Sequence, residues 1–78
     1  MEVATLKQIL QNGLPCDHLD VDGDGRHFQV TMVSALFRGK GMVQRHQMVY
    51  ELLGNLMVDE DVHALALKTI TPEDWAKS

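Results

Sequence analysis

Two short alternating runs on either side of Gly23-Asp24-Gly25 constrain the fold of this chain more than any other feature. From His18 to Asp22, Leu19 and Val21 alternate with Asp20 and Asp22, the pattern of a half-buried strand. From His27 to Ser34, Phe28, Val30 and Met32 fall on one face in the same way. An Asp-Gly pair supplies the positive φ that a tight turn needs, so the two runs are expected to form a hairpin.

The rest of the chain reads as helices around that hairpin. Val3, Leu6, Ile9 and Leu10 recur at helical spacing, and Gly13 followed by Pro15 stops the first helix. After the hairpin, Ser34–Phe37 suits one helical turn, broken by Gly39-Lys40-Gly41. A longer helix is expected from about Met42 to Met57, with Met42, Val43, His46, Val49, Leu53 and Leu56 facing the core. The acidic Asp59–Asp61 forms a loop, and His63–Ile70 is a third strand, apolar enough for the centre of a sheet. Thr71-Pro72-Glu73-Asp74 starts a last helix, with Thr71 as N-cap and Pro72 in the first turn. Trp75 is expected to fold back over the core.

The order is therefore α-β-β-α-α-β-α. The long connection between the second and third strands implies a crossover joining parallel strands. A mixed three-stranded sheet with helices on one face, an α+β fold, follows as the simplest packing. Seventy-eight residues form a single domain, residues 1–78, with no space for a second core. One cysteine, Cys16, excludes an internal disulfide and fits a reducing cytoplasm. No run approaches the length of a membrane span, and the start of the chain does not read as a signal peptide.

The net charge of −4 argues against a dedicated nucleic-acid binder. Its distribution is uneven, however. No acid occurs between Gly25 and Tyr50, where Arg26, Arg38, Lys40 and Arg45 stand with His27 and His46. Such a block suits a positive face or a docking patch for an acidic partner, or simply a solvated surface. Phe37-Arg38-Gly39-Lys40-Gly41 ahead of a helix offers amides and cations to an anion, but it lacks the phosphate-loop spacing.

Asp20-Val21-Asp22-Gly23-Asp24-Gly25 matches the opening of an EF-hand calcium loop. The twelfth position is Thr31 rather than a bidentate acid, and strands replace the flanking helices. These acids are read as solubilising a turn. The histidines His18, His27, His46 and His63 and the thiol of Cys16 are the remaining metal donors. They contain no i, i+4 histidine pair and no Cys-x-x-Cys, so a complete site within one copy is not expected. A site completed by a partner's cysteine stays open. His46, on an apolar helix face, is read as a buried, hydrogen-bonded structural residue, and His63 as accessible. Cys16 and His18 are the nearest approach to a nucleophile and base, and no oriented third group accompanies them, so no enzyme activity is expected.

Several of these segments, taken in order, resemble the BolA family: Phe37-x-Gly39, Arg45-His46-x-x-Val49-Tyr50, His63-Ala-Leu-Ala-Leu-Lys-Thr69 and Thr71-Pro-Glu-x-Trp75-Ala76. With Gly23-Asp-Gly-x-His-Phe-Gln-Val30 the chain looks most like the short bacterial branch, IbaG/YrbA-like, and the resemblance covers nearly all of it. It implies a fold like the class II KH domain. It also implies a monothiol glutaredoxin with a Cys-Gly-Phe-Ser motif as partner, bridged by a [2Fe-2S] cluster shared with glutathione and absent from the isolated chain. The family's C-terminal histidine ligand maps onto His63. Its second ligand, a Cys or His between the first two strands, is missing from the shortened loop Asp22–Gly25, which leaves His27 as the nearest candidate and Cys16 as a weaker one. The isolated chain is then expected as a monomer or weak homodimer. Some family members are described as transcriptional regulators, for which Arg38, Lys40 and Arg45 would lie near DNA phosphates and give weak, salt-sensitive binding.

Overall fold

The computed structural model describes residues 2–54 and 64–77. The order is α1 (Val3–Gly13), β1 (His18–Gly23), β2 (His27–Val33), a single 3-10 turn (Ala35–Phe37), α2 (Met42–Leu53), β3 (Ala64–Ile70) and α3 (Pro72–Lys77). The expected architecture is present: an α+β fold built on a three-stranded mixed sheet, in the order β1-β2-β3. β1 and β2 pair antiparallel, and β2 and β3 pair parallel. The positions expected for His63, Leu56, Met57 and Asp59–Asp61 lie outside the described residues.

Strand alternation decides which face of the sheet is covered. Val21, Phe28, Val30 and Met32 are buried with Leu6, Leu10 and Leu14 of the α1 segment, Phe37, and Val49 and Leu53 of α2. Each large apolar side chain removed from water here stabilises the fold by about 1.5–3 kcal/mol. The opposite face carries Asp20, Asp22, Gln29, Ala66 and Lys68, all exposed. Among the described residues, one end of that face is covered. There His18, the ladder partner of Val33, stacks on Trp75 of α3 with ring centroids 4.6 Å apart.

Buried Ser34 ties three segments together at this end. Its hydroxyl donates to the Pro15 carbonyl (2.7 Å) and accepts from the Leu36 amide (3.1 Å). Its own amide donates to the Ile70 carbonyl (3.0 Å). Thr71 caps α3 as its sequence signature implies, accepting from the Asp74 amide at 3.2 Å.

Three expectations are corrected. β3 is an edge strand, not the centre; β2 takes that place because it bonds on both sides, and Leu65 and Leu67 are only half-buried. Met42 and Val43 are 59% and 70% exposed, and the buried residues of α2 are Val49 and Leu53, about one and a half turns or more further along. Trp75 covers His18 rather than the main core and keeps 41% of its surface exposed.

Candidate functional site

Two glycines shape the hairpin end of the sheet, for different reasons. A Cβ on Gly23 would stand 2.5 Å from the His27 carbonyl oxygen, so the two strands close only because none is there. Gly25 has φ 99°, the left-handed region expected for the turn. Asp24 sits between them and does more than solubilise. One carboxylate oxygen, Oδ1, accepts the amides of Arg26 (3.0 Å) and His27 (2.8 Å), while Oδ2 lies 3.3 Å from His27 Nδ1. Those backbone amides, His27's first, bring the Asp24 carboxyl down to about 2. Asp24 is therefore a fixed anion beside an exposed imidazole.

The parallel ladder adds a second neighbour to this corner. His27 pairs with Ala64, the first residue of β3, so the start of β2 and the start of β3 lie side by side. A groove runs there between Asp22, Gly23, Asp24, His27, Gln29 and Ala66. His63 itself lies outside the described residues, joined to Ala64 by one peptide bond.

The other donors are elsewhere. Cys16 precedes β1, whose ends His18 and Gly23 are roughly 17 Å apart at the rise of an extended strand. Burial, with Asp17 adding to it, raises the Cys16 thiol above its ordinary range, which favours the protonated form over the thiolate a metal needs. His18 is stacked on Trp75 at that same far end. His46 is half-buried as a residue, and its Nε2 is buried without a hydrogen-bond partner among the described residues, so the expected hydrogen bond is not seen there. No group of three or more His, Cys, Asp or Glu side chains converges among the described residues.

The basic segment is largely engaged in architecture. Arg45 Nε donates to the Lys40 carbonyl at 2.8 Å, and a terminal nitrogen, Nη1, donates to the Thr69 carbonyl at 3.0 Å. The side chain thus fastens the turn before α2 to the end of β3. Arg38 forms an ion pair with Glu73 of α3, which holds the Glu73 carboxyl below its usual range. Lys40 is exposed and has no ion pair among the described residues. Neither the Arg45 bond to Thr69 nor the Arg38–Glu73 pair could be read from spacing, since those partners lie about a third of the chain or more away. Asp24's role did have a local signal, an Asp in a glycine turn with a histidine three residues on.

No described helix is long and apolar enough to cross a membrane. Comparison with known proteins agrees with the fold. The chain is 39% identical over 77 residues to the acid stress protein IbaG of Escherichia coli K12, covering 99% of this chain and 92% of that protein. A Haemophilus influenzae protein, the DNA-binding transcriptional regulator BolA, is 47% identical over 53 residues, which is 68% of this chain and 50% of that one. The solved structure of a BolA homologue from Coxiella burnetii superposes with a TM-score of 0.85 at 35% identity, covering 97% of each chain. The relatives thus carry the names of stress and regulatory proteins. The model of the BolA-like protein family matches residues 6–74, from the first helix into the last, and the chain belongs to the BolA family.

Proposed function

We propose that this chain is a non-enzymatic adaptor that pairs with a monothiol glutaredoxin to hold or transfer a [2Fe-2S] cluster. His63 and His27 are the ligands it contributes, and the glutaredoxin thiolate and glutathione complete the set. Support comes first from family membership and second from one structural observation. The parallel register sets His27 level with Ala64, so the candidate second ligand stands beside the residue that follows the first. Adjacent strands are about 4.8 Å apart, which is the separation of the His27 and Ala64 backbones.

The donor chemistry of this corner fits the cluster. Histidine nitrogen replaces thiolate on one iron in Rieske-type centres, so an imidazole is an established donor to such iron. His27 is exposed and lies against a carboxylate, the second-shell arrangement common for metal-bound imidazoles. Cys16, at the far end of β1 and held as a thiol, is the poorer candidate. Lys40, exposed and without an ion pair among the described residues, is the cation of this segment left to meet an acidic partner surface or the carboxylates of glutathione.

The competing reading is a DNA-binding regulator that uses Arg38, Lys40 and Arg45. It draws on the regulator name of the Haemophilus influenzae relative and on the acid-free segment. Against it, Arg45 is bonded to two backbone carbonyls and Arg38 to Glu73, leaving little charge directed outward. Anaerobic reconstitution with a monothiol glutaredoxin tests the preferred reading. The mixture should give a heterodimer whose visible spectrum differs from that of the glutaredoxin homodimer, and His63→Ala should abolish the difference. A spectrum unaltered by His63→Ala would remove that residue from the ligand set.

A further inference from the structure

We infer that Asp24 is a positioning residue that sets the proton of His27 on Nδ1 and so presents Nε2 as the donor nitrogen. The inference rests on the reading of His27 as a cluster ligand and extends it to the residue that orients it. Its basis is local geometry. The Asp24 side chain is not free to turn, because Oδ1 accepts two amides of its own hairpin at 2.8 and 3.0 Å. With Oδ1 so placed, Oδ2 faces His27 Nδ1 at 3.3 Å. An ionised carboxylate only accepts hydrogen bonds, so in the neutral imidazole the nitrogen facing it carries the proton. The lone pair is then on Nε2.

The backbone around this pair is closed by its own contacts. The Asp24 amide donates to the His27 carbonyl at 3.2 Å, and Gly23 brings the strands together with no room for a Cβ. The hairpin thereby holds acid and imidazole in one register. The loop itself holds no His or Cys, and the histidine that opens β2 stands where a loop aspartate can orient it. Metal-bound histidines commonly direct their second nitrogen to a carboxylate in this way, which fixes the tautomer and raises the basicity of the donor.

Asp24→Asn is the informative substitution. The amide oxygen still accepts the Arg26 and His27 amides, so the turn is retained. The amide nitrogen then replaces Oδ2 and donates to Nδ1, which moves the imidazole proton to Nε2. Long-range proton–nitrogen correlation spectra of the 15N-labelled chain, taken well above the usual histidine range, report the tautomer directly. Wild-type His27 should carry its proton on Nδ1, and Asp24→Asn should invert this while leaving the Arg26 and His27 amide resonances close to their wild-type positions. A wild-type proton on Nε2, or the same tautomer in both proteins, would overturn the inference.

In the reconstituted heterodimer Asp24→Asn should lower cluster retention by about tenfold or more. Retention that falls with His27→Ala but is indifferent to Asp24→Asn would overturn the positioning role and leave the ligand reading intact. Retention indifferent to His27→Ala would overturn the ligand reading instead, and the tautomer would still report on Asp24 by itself.

Discussion

The hairpin and the basic turn invert the roles their compositions suggest. The basic turn, Arg38–Arg45, is conspicuous for charge, yet two of its three cations are bonded to the protein itself. The hairpin, Asp22–His27, has the composition of a plain acidic turn, yet it holds an exposed imidazole against a fixed carboxylate at the mouth of a parallel strand pair. Charge density on its own therefore does not show which polar groups a fold leaves available. What matters is whether each polar group is already engaged by the fold.

The comparison makes unequal predictions for the two ends. The largest concerns Gly23→Ala. Its Cβ would meet the His27 backbone oxygen, which no side-chain rotation relieves, so the hairpin must open at a cost of about 3 kcal/mol. A lower urea midpoint with an unchanged slope is the expected result, and wild-type stability would show that the strands are not held so closely.

Arg45→Ala comes next. Losing charged donors to the Lys40 and Thr69 carbonyls should destabilise the fold by about 2 kcal/mol, and Arg45→Lys should restore little because a single ammonium cannot serve both. If Arg45→Ala instead keeps full stability, the residue is not a staple, and its place in a binding surface regains weight.

The pH dependence of the hairpin is smaller. Asp24 is lowered in the folded state from 3.8 to about 2. A depressed acid stabilises the fold above its unfolded value, and that contribution is lost as pH falls through the folded value. The stability difference between wild type and Asp24→Asn should therefore be full above about pH 4 and fade towards pH 2, as followed by unfolding at a series of pH values. The smallest effect is expected from Arg38→Ala. It removes a surface ion pair with Glu73 and should shift the midpoint only slightly, by an amount that vanishes in high salt.

Local pattern carried most of the fold. Val21, Phe28, Val30 and Met32 alternate into the core as their spacing implies, and Thr71-Pro72 starts the last helix where its cap signal stands. Where reading by periodicity failed, the reason was tertiary. Met42 and Val43 continue an apolar stripe along α2, but they stay exposed, and the buried positions of the helix are Val49 and Leu53 further along. The apolar run of β3 suits a sheet centre, yet sheet order depends on which strand has two partners, and no single strand encodes that. The candidate histidines were named through the family resemblance, and their supports were hidden. His27 could be singled out beside the turn, whereas the tie from Asp24 Oδ2 to His27 Nδ1 depends on how the hairpin closes.

The central claim is that the cluster-bearing end is the hairpin and not the basic turn. The most direct test is the visible circular dichroism of the chain reconstituted anaerobically with a monothiol glutaredoxin, compared among wild type, His27→Ala and the double variant Arg38→Ala/Lys40→Ala. The account predicts that His27→Ala loses the heterodimer-specific bands at full occupancy of the complex, while the double variant binds more weakly but shows wild-type bands once bound. Wild-type bands from His27→Ala, with altered bands from the saturated double variant, would contradict it.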